Sequence, residues 1–131
     1  MEDRGVLIDT SSIIAHIRSR RPELTSLAKV WDLYADHYIS SITCYEVELG
    51  AQIARRESDL QELLSVLTVL PVGEEEARAA AKLNARLIRR NRRIDHRDAL
   101  IAGTAIVHEL PLLTENREHF ERIPGLRLVH V

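Results

Sequence analysis

The chain has 131 residues, of which 45% are hydrophobic and 29% are charged, and its formal net charge is -2. This length suits one compact unit with its own hydrophobic core, and this composition excludes a mainly disordered chain. The small negative charge excludes a protein that binds nucleic acid through bulk positive charge, so any nucleic-acid contact must be local.

The first predicted elements are a short strand and two helices. Residues 4–8 form an apolar run that predicts a buried strand, and residues 9–12 are all of types that cap helices. We expect a helix over 13–20 and a second, amphipathic helix over 22–35, with a proline at its first position. The strand therefore places Asp9 at a strand-to-helix turn.

The middle of the chain continues this alternation. Residues 38–41 predict a second strand, and Thr43 is expected to cap the helix that follows it. Residues 60–67 predict a further helix, and the sequence returns to a strand over 68–72.

The last part of the chain contains the two strongest helix signals. Residues 74–90 are rich in Ala, Glu and Arg, with acids at the start and bases at the end, as the helix dipole favours. Residues 95–109 predict a nearly apolar helix, and Gly103 within it indicates close packing at the centre of the fold. Strands are expected over 110–114 and 126–131.

The alternation of strands and helices predicts an α/β fold whose parallel sheet is covered by helices on both faces. We expect one domain over 1–131. The apolar stretches are far shorter than the roughly 20 residues that cross a bilayer, and the acidic start does not resemble a secretory signal. We therefore expect no membrane contact. Cys44 is the only cysteine, so we also expect no internal disulfide, which fits the cytoplasmic location that we expect.

Four polar residues fall in or just after predicted strand-to-helix turns, namely Asp9, Glu46, Asp98 and Asn116. In a parallel α/β sheet, ligands collect beyond the carboxyl ends of the strands. Carboxylate and amide oxygens gathered there would suit Mg²⁺ or Mn²⁺ better than zinc. Without a cation, such a cluster would repel itself and raise its own pKa values.

Each of these residues also has a purely structural explanation. Asp9 can simply cap the first helix. Glu46 lies three residues after Thr43, which matches a capping box. Asp98 has the same relation to Asp95, and an asparagine after a strand is commonly a turn residue.

Side-chain direction favours the functional interpretation for two of the acids. On helical spacing, we expect Glu46 to point inward and Glu48 to point into solvent. We expect Asp98 to point inward as well, where a carboxylate needs a partner or a metal. The residues that share the face of Glu46 are Leu49, Gly50 and Ile53. The residues that share the face of Asp98 are Ile101, Ala102 and Ala105.

Taken together, four stretches resemble the PIN-domain family, and specifically its VapC branch. These stretches are 7–11, 41–50, 98–105 and 113–120. The resemblance covers nearly the whole chain and implies an α/β/α sandwich in which Asp9, Glu46 and Asp98 match the family's metal-binding acids. Asn116 falls where many members carry a fourth acid, which weakens the second metal position. The candidate substitutes for that acid are Glu115 and Glu118.

The resemblance also implies a function. It implies an Mg²⁺- or Mn²⁺-dependent endoribonuclease, the toxin of a VapBC toxin–antitoxin pair, with tRNA, rRNA or mRNA as substrate. It further implies a homodimer that a VapB antitoxin blocks. An alternative stays open, in which the metal site has decayed and the PIN fold only binds RNA or a protein.

Several residues are candidates for holding the phosphate. Thr10 and Ser11 lie at the start of the first helix, where hydroxyl and N–H groups suit an anion, although capping explains them equally well. Arginines crowd the segment 86–97, and Arg92, Arg93 and Arg97 are the candidates nearest to Asp98. The histidines near the site in sequence, His96 and His119, are interpreted as surface residues.

Overall fold

A computed structural model describes residues 3–131 and has a four-stranded parallel sheet at its centre, in the order β3-β2-β1-β4. The strands are β1 (Gly5–Ile8), β2 (Asp36–Ser40), β3 (Thr68–Leu70) and β4 (Leu112–Leu113). The helices are α1 (Thr10–Arg18), α2 (Ser26–Trp31), α3 (Ser41–Ala54), α4 (Glu57–Leu64), α5 (Glu74–Arg89), α6 (His96–Val107) and α7 (Arg117–Glu121). The predicted fold class is confirmed.

Both faces of the sheet are buried, because successive residues of a strand point to opposite sides. Val6 and Ile8 of β1 pack against apolar side chains of α1 to α4 on one face, and Leu7 packs against α5, α6 and α7 on the other. None of these three side chains reaches solvent. The sheet therefore separates two layers of helices, and β1 lies near its centre.

Gly103 brings α5 and α6 into close contact, as the sequence predicted. A Cβ atom at this position would lie 2.7 Å from the carbonyl oxygen of Glu76 and 2.8 Å from the amide nitrogen of Ala80. Only a residue without a side chain fits between the two backbones.

Two predicted elements differ in the structure. The helix expected over 22–35 is interrupted, because the Thr25 hydroxyl accepts the Ala28 N–H at 3.2 Å and starts α2 anew after a 3₁₀ turn at Pro22–Leu24. The strand expected over 126–131 is wrong, since only Leu128 pairs, in a single bridge to Leu112. The short helix α7 was not predicted.

Among the residues that the structure describes, no helix is long and apolar enough to span a membrane.

The start and the faces of α3 also correct the predictions. Ser40, not Thr43, caps this helix, because its hydroxyl accepts the Thr43 N–H at 3.1 Å. The expected inward position of Leu49 and Ile53 is wrong, since these side chains are 45% and 76% exposed. Val47 and Ala51 form the buried face instead. Glu48 is exposed as expected and bonds Gln52 at 3.0 Å.

Candidate active site

Three predicted acids come together at the carboxyl edge of the sheet. Asp9 directly follows β1, Glu46 lies in the second turn of α3 after β2, and Asp98 lies in the first turn of α6. The neighbouring strand β4 ends at the same edge and is followed by Thr114. The topology therefore brings side chains from elements far apart in sequence to one place.

Asp9 has one carboxylate oxygen held and one free. Its Oδ2 accepts the hydroxyl of Ser11 at 2.7 Å and that of Thr114 at 2.8 Å. Its Oδ1 is buried and has no hydrogen-bond partner among the described residues, and the residue is 1% exposed. The side chain makes no capping bond to α1, so capping does not explain it. A buried carboxylate oxygen without a partner fits a ligand of a hard cation.

Glu46 is bonded on both oxygens to side chains from other elements. Its Oε1 accepts the hydroxyl of Thr10 at 2.7 Å and Nη2 of Arg97 at 3.1 Å, and its Oε2 accepts Nε of Arg97. The guanidinium therefore makes a bidentate contact to this carboxylate through two nitrogens. These contacts, rather than a capping box with Thr43, account for the position of Glu46.

Asp98 is buried, as predicted, and is only 3% exposed. Its Oδ1 accepts Nη1 of Arg97 at 3.1 Å, and its Oδ2 lies 3.3 Å from Nδ1 of His119. Burial raises the pKa of Asp98 above its ordinary value, and the charge of Asp9 adds to this effect while Arg97 opposes it. Capping falls to Asp95, whose carboxylate accepts the Arg97 N–H at 3.0 Å.

Arg97 is the positive charge among these acids. The hydrogen bond to Glu46 is the main cause that raises its pKa, and the charges of Asp98 and Asp9 add to it. Within the described chain, no three acidic, histidine or cysteine side chains stand close enough to share one ion. The buried Oδ1 of Asp9 therefore fits a cation as it stands, whereas Glu46 and Asp98 are both engaged by Arg97.

The remaining predicted site residues lie farther out. Asn116 is exposed at the start of α7 and makes no capping bond. Of the two candidate substitutes, Glu115 accepts the Ser12 hydroxyl at 3.3 Å, and Glu118 is exposed. Arg92 and Arg93 are exposed as well, and the structure shows no contact between them and the three acids.

Sequence reasoning missed three residues of the site. Thr114 bonds Asp9, and Thr43 lies 3.0 Å from the Thr10 hydroxyl, oxygen to oxygen. His119 is 57% exposed in its side chain, as a surface residue should be, yet it reaches Asp98. The signal for Thr114 was its position at the end of the strand predicted over 110–114, where polar side chains meet in this fold class.

Comparisons with known proteins agree with this geometry. The family profile described as PIN domain matches residues 6–126. "Ribonuclease VapC" of Rickettsia bellii is 35% identical, over 97% of this chain and 96% of its own length. "tRNA(fMet)-specific endonuclease VapC" of Salmonella typhimurium is 31% identical, over 93% and 94%. The solved structure of DNA-bound VapBC from Salmonella typhimurium contains a chain with a TM-score of 0.85 and 27% identity, covering 98% of both chains.

Proposed function

We infer that this chain, which belongs to the VapC ribonucleases of the PIN-domain family, is an endoribonuclease and the toxin of a VapBC toxin–antitoxin pair. Its reaction is the hydrolysis of RNA phosphodiester bonds. The observation that supports this most directly is the buried Oδ1 of Asp9, unpartnered among the described residues, beside the buried carboxylate of Asp98. An unpaired buried polar atom destabilises a fold, so such an atom indicates that a ligand binds there.

VapC ribonucleases of this family generally use a divalent metal, and we propose Mg²⁺ or Mn²⁺ for this chain. Asp9 and Asp98 would hold the ion, Glu46 would be its third acid, and Asn116 would contribute at most an outer contact. A bound cation of this kind lowers the pKa of a water molecule and neutralises charge that develops on the phosphate. An all-oxygen set of donors favours these hard cations.

The other side chains orient these acids and receive the phosphate. Ser11 and Thr114 fix Asp9, and Thr10 fixes Glu46. Thr10 and Ser11 lie in the first turn of α1, where the helix dipole favours a phosphate oxygen. We propose that Arg92 and Arg93, which are exposed on the segment that leads into α6, bind the neighbouring phosphates of the RNA. Arg97 would be the arginine nearest to the acids.

A VapB-type antitoxin is the partner that the structural relatives indicate, since they are VapBC complexes. We propose that exposed apolar side chains of α3 serve this contact and a homodimer. Tyr45, Leu49 and Ile53 follow each other at helical spacing and are 66%, 45% and 76% exposed. We also propose that 1–131 is a single PIN domain and acts in the cytoplasm on tRNA, rRNA or mRNA.

Cleavage of total tRNA and rRNA tests the assignment. With Mg²⁺ or Mn²⁺, wild type should cut at one defined site, and EDTA should stop it. Asp98→Asn should abolish the cut, because it removes a buried carboxylate. The matched control is Asp95→Asn on the same helix turn, since asparagine caps a helix as well as aspartate. Equal activity of the two variants would remove Asp98 from the site.

One alternative has specific support, namely a PIN module that binds RNA or protein without cleaving it. Its support is the engagement of Glu46 by Arg97, together with asparagine at position 116. Calorimetric titration with Mn²⁺ separates the two functions. The enzyme should bind the ion and lose this binding in Asp9→Asn, whereas a decayed site should bind no ion in either form.

A further inference from the structure

We propose that Arg97 is a built-in counter-cation of the acidic site, which engages Glu46 and Asp98 until a divalent cation displaces it. This inference rests on the proposed function, in which those acids bind the metal. It adds that the site has two states, one closed by the arginine and one open to the ion. Metal binding and the availability of Arg97 to a phosphate would then be coupled.

The guanidinium of Arg97 is bonded to both acids at once. Three of its nitrogens bond the two acids, Nε and Nη2 to Glu46 and Nη1 to Asp98. The side chains of Glu46 and Asp98 are 24% and 5% exposed, so water compensates their charges poorly. A cation must therefore balance them, and in this structure the arginine does so.

The arginine and a metal ion exclude each other at Glu46. Both Glu46 oxygens accept an N–H of Arg97, and an ion bound by the same oxygens would stand within a few ångström of the guanidinium. At such distances the repulsion of like charges in a part-buried site is large. Glu46 can bind the ion as the third acid only if Arg97 leaves it.

Arg97 has room to leave the two acids. Its side chain is 33% exposed, and it lies at the second residue of α6, directly after the exposed arginine segment. A released guanidinium would turn outward from the acids, at the start of the helix that follows the exposed Arg92 and Arg93. There it can receive an RNA phosphate, so the ion would bind first and the phosphate second.

Calorimetric titration with Mn²⁺ of four proteins tests the exclusion. Arg97→Gln should lower the Kd at least about tenfold, the factor that corresponds to one charge-assisted hydrogen bond. Arg97→Lys keeps the charge without the two-pronged contact, so its Kd should lie between those of wild type and Arg97→Gln. The matched control Arg93→Gln loses the same charge from an exposed position, and its Kd should change less than about threefold.

Three outcomes would overturn the proposal. An unchanged or higher Kd in Arg97→Gln would mean that Arg97 supports the metal site. A fall in Kd as large in Arg93→Gln would mean that net charge alone acts. If neither wild type nor Arg97→Gln binds Mn²⁺, the proposed metal site fails as well, whereas the first two outcomes leave it intact.

A second measurement does not depend on whether the glutamine variant folds. In wild type labelled with ¹⁵N, the Nε–H signal of Arg97 should shift and exchange faster with water when Mg²⁺ saturates the protein, because its bond to Glu46 breaks. The Nε–H of Arg78, which bonds Glu74 on an exposed surface, serves as the reference. An unchanged Arg97 signal at saturation would overturn the proposal.

Discussion

At the scale of single residues, hydroxyl groups determine how the acids of the site are oriented. Thr114 and Ser11 both donate to Oδ2 of Asp9, so the carboxylate cannot rotate without losing two hydrogen bonds. This fixes Oδ1 as the oxygen that remains free. Under the proposed function, Thr114 is a positioning residue, because it would act on the metal site through Asp9.

Removal of the Thr114 hydroxyl should impair cleavage more than folding. Thr114→Val keeps the shape of the side chain but removes one of the two hydroxyl groups that hold Asp9, and removal of such a supporting hydrogen bond costs about ten- to a hundredfold in activity or metal affinity. The loss of stability should be about 1 kcal/mol. Rates of RNA cleavage and urea denaturation measure the two effects.

Thr104→Val is the matched control for this substitution. The Thr104 hydroxyl is equally buried but bonds the carbonyl of Leu100 within α6, at 2.8 Å. We expect a small change in stability and unchanged cleavage. If both valine variants cleave RNA at the same rate, Thr114 has no positioning role.

The acids themselves could be predicted, whereas their partners could not. Asp9, Glu46 and Asp98 follow from strand-to-helix turns and helical faces, which are local patterns. The hydrogen bond from Thr114 to Asp9 spans 105 positions and that from Arg97 to Glu46 spans 51. Such bonds depend on the packed arrangement of strands and helices, so no local spacing predicts them.

At the scale of elements, the contact between α5 and α6 determines whether the site is held together, since α6 contributes Asp98. Gly103→Ala should lower the free energy of unfolding by about 1–3 kcal/mol, because the new methyl group meets the backbone at Glu76 and Ala80. Urea denaturation measures this loss.

Gly50→Ala on α3 is the control with the opposite sign. No atom lies within 4 Å of a Cβ built at Gly50, so alanine should stabilise this helix by up to about 1 kcal/mol. A loss of stability at Gly103 no larger than the change at Gly50 would contradict the close packing of the two helices.

The start of α5 should make stability depend on pH. The backbone N–H groups of Glu76 itself and of Gly73 lower the pKa of the Glu76 carboxyl below its ordinary value of 4.5. A lowered pKa in the folded state stabilises the protein above pH 4.5, and this stabilisation is lost as the pH falls through the folded-state pKa.

Glu76→Gln should therefore be less stable than wild type near neutral pH, and the difference should shrink below pH 4.5. Thermal denaturation from about pH 3 to about pH 7 measures the two curves. Glu74→Gln, at an exposed position of the same helix turn, should show almost no difference. A constant gap between Glu76→Gln and wild type would show that the ionised carboxylate is not responsible.

Long helices were predicted better than short strands. The helix expected over 74–90 is α5 at Glu74–Arg89, because its composition and charge order act along the whole segment. The expected strand over 126–131 failed because β4 has only two residues before the chain turns into the site at Thr114. Leu112 is the residue of β4 that pairs with the last segment, through a single bridge to Leu128.

At the scale of the whole molecule, the distribution of charge matters more than its sum. The net charge is -2, yet the arginines from the end of α5 to the start of α6 are exposed and form no ion pair among the described residues. These arginines are Arg86, Arg89, Arg90, Arg92 and Arg93. The segment after α5 leads into α6, whose first turn carries Asp98, so the last of these arginines come shortly before that acid in the chain.

These exposed arginines should give RNA binding a salt dependence that the net charge does not predict. Binding is measured in an Asp98→Asn background, where the RNA stays intact. Replacing Arg92 and Arg93 with alanine should weaken binding and flatten the slope of log K against log salt, by about 0.7 for each phosphate of single-stranded RNA that the protein no longer neutralises.

The control replaces Arg4 and Arg78, which lose the same charge from exposed ion pairs with Asp36 and Glu74. Arg4 lies before β1, at the opposite edge of the sheet, and Arg78 lies in the first half of α5. Because neither belongs to the segment that leads into Asp98, their loss should leave the slope unchanged. If both double variants flatten the slope equally, RNA responds only to total charge, and Arg92 and Arg93 are not part of its binding surface.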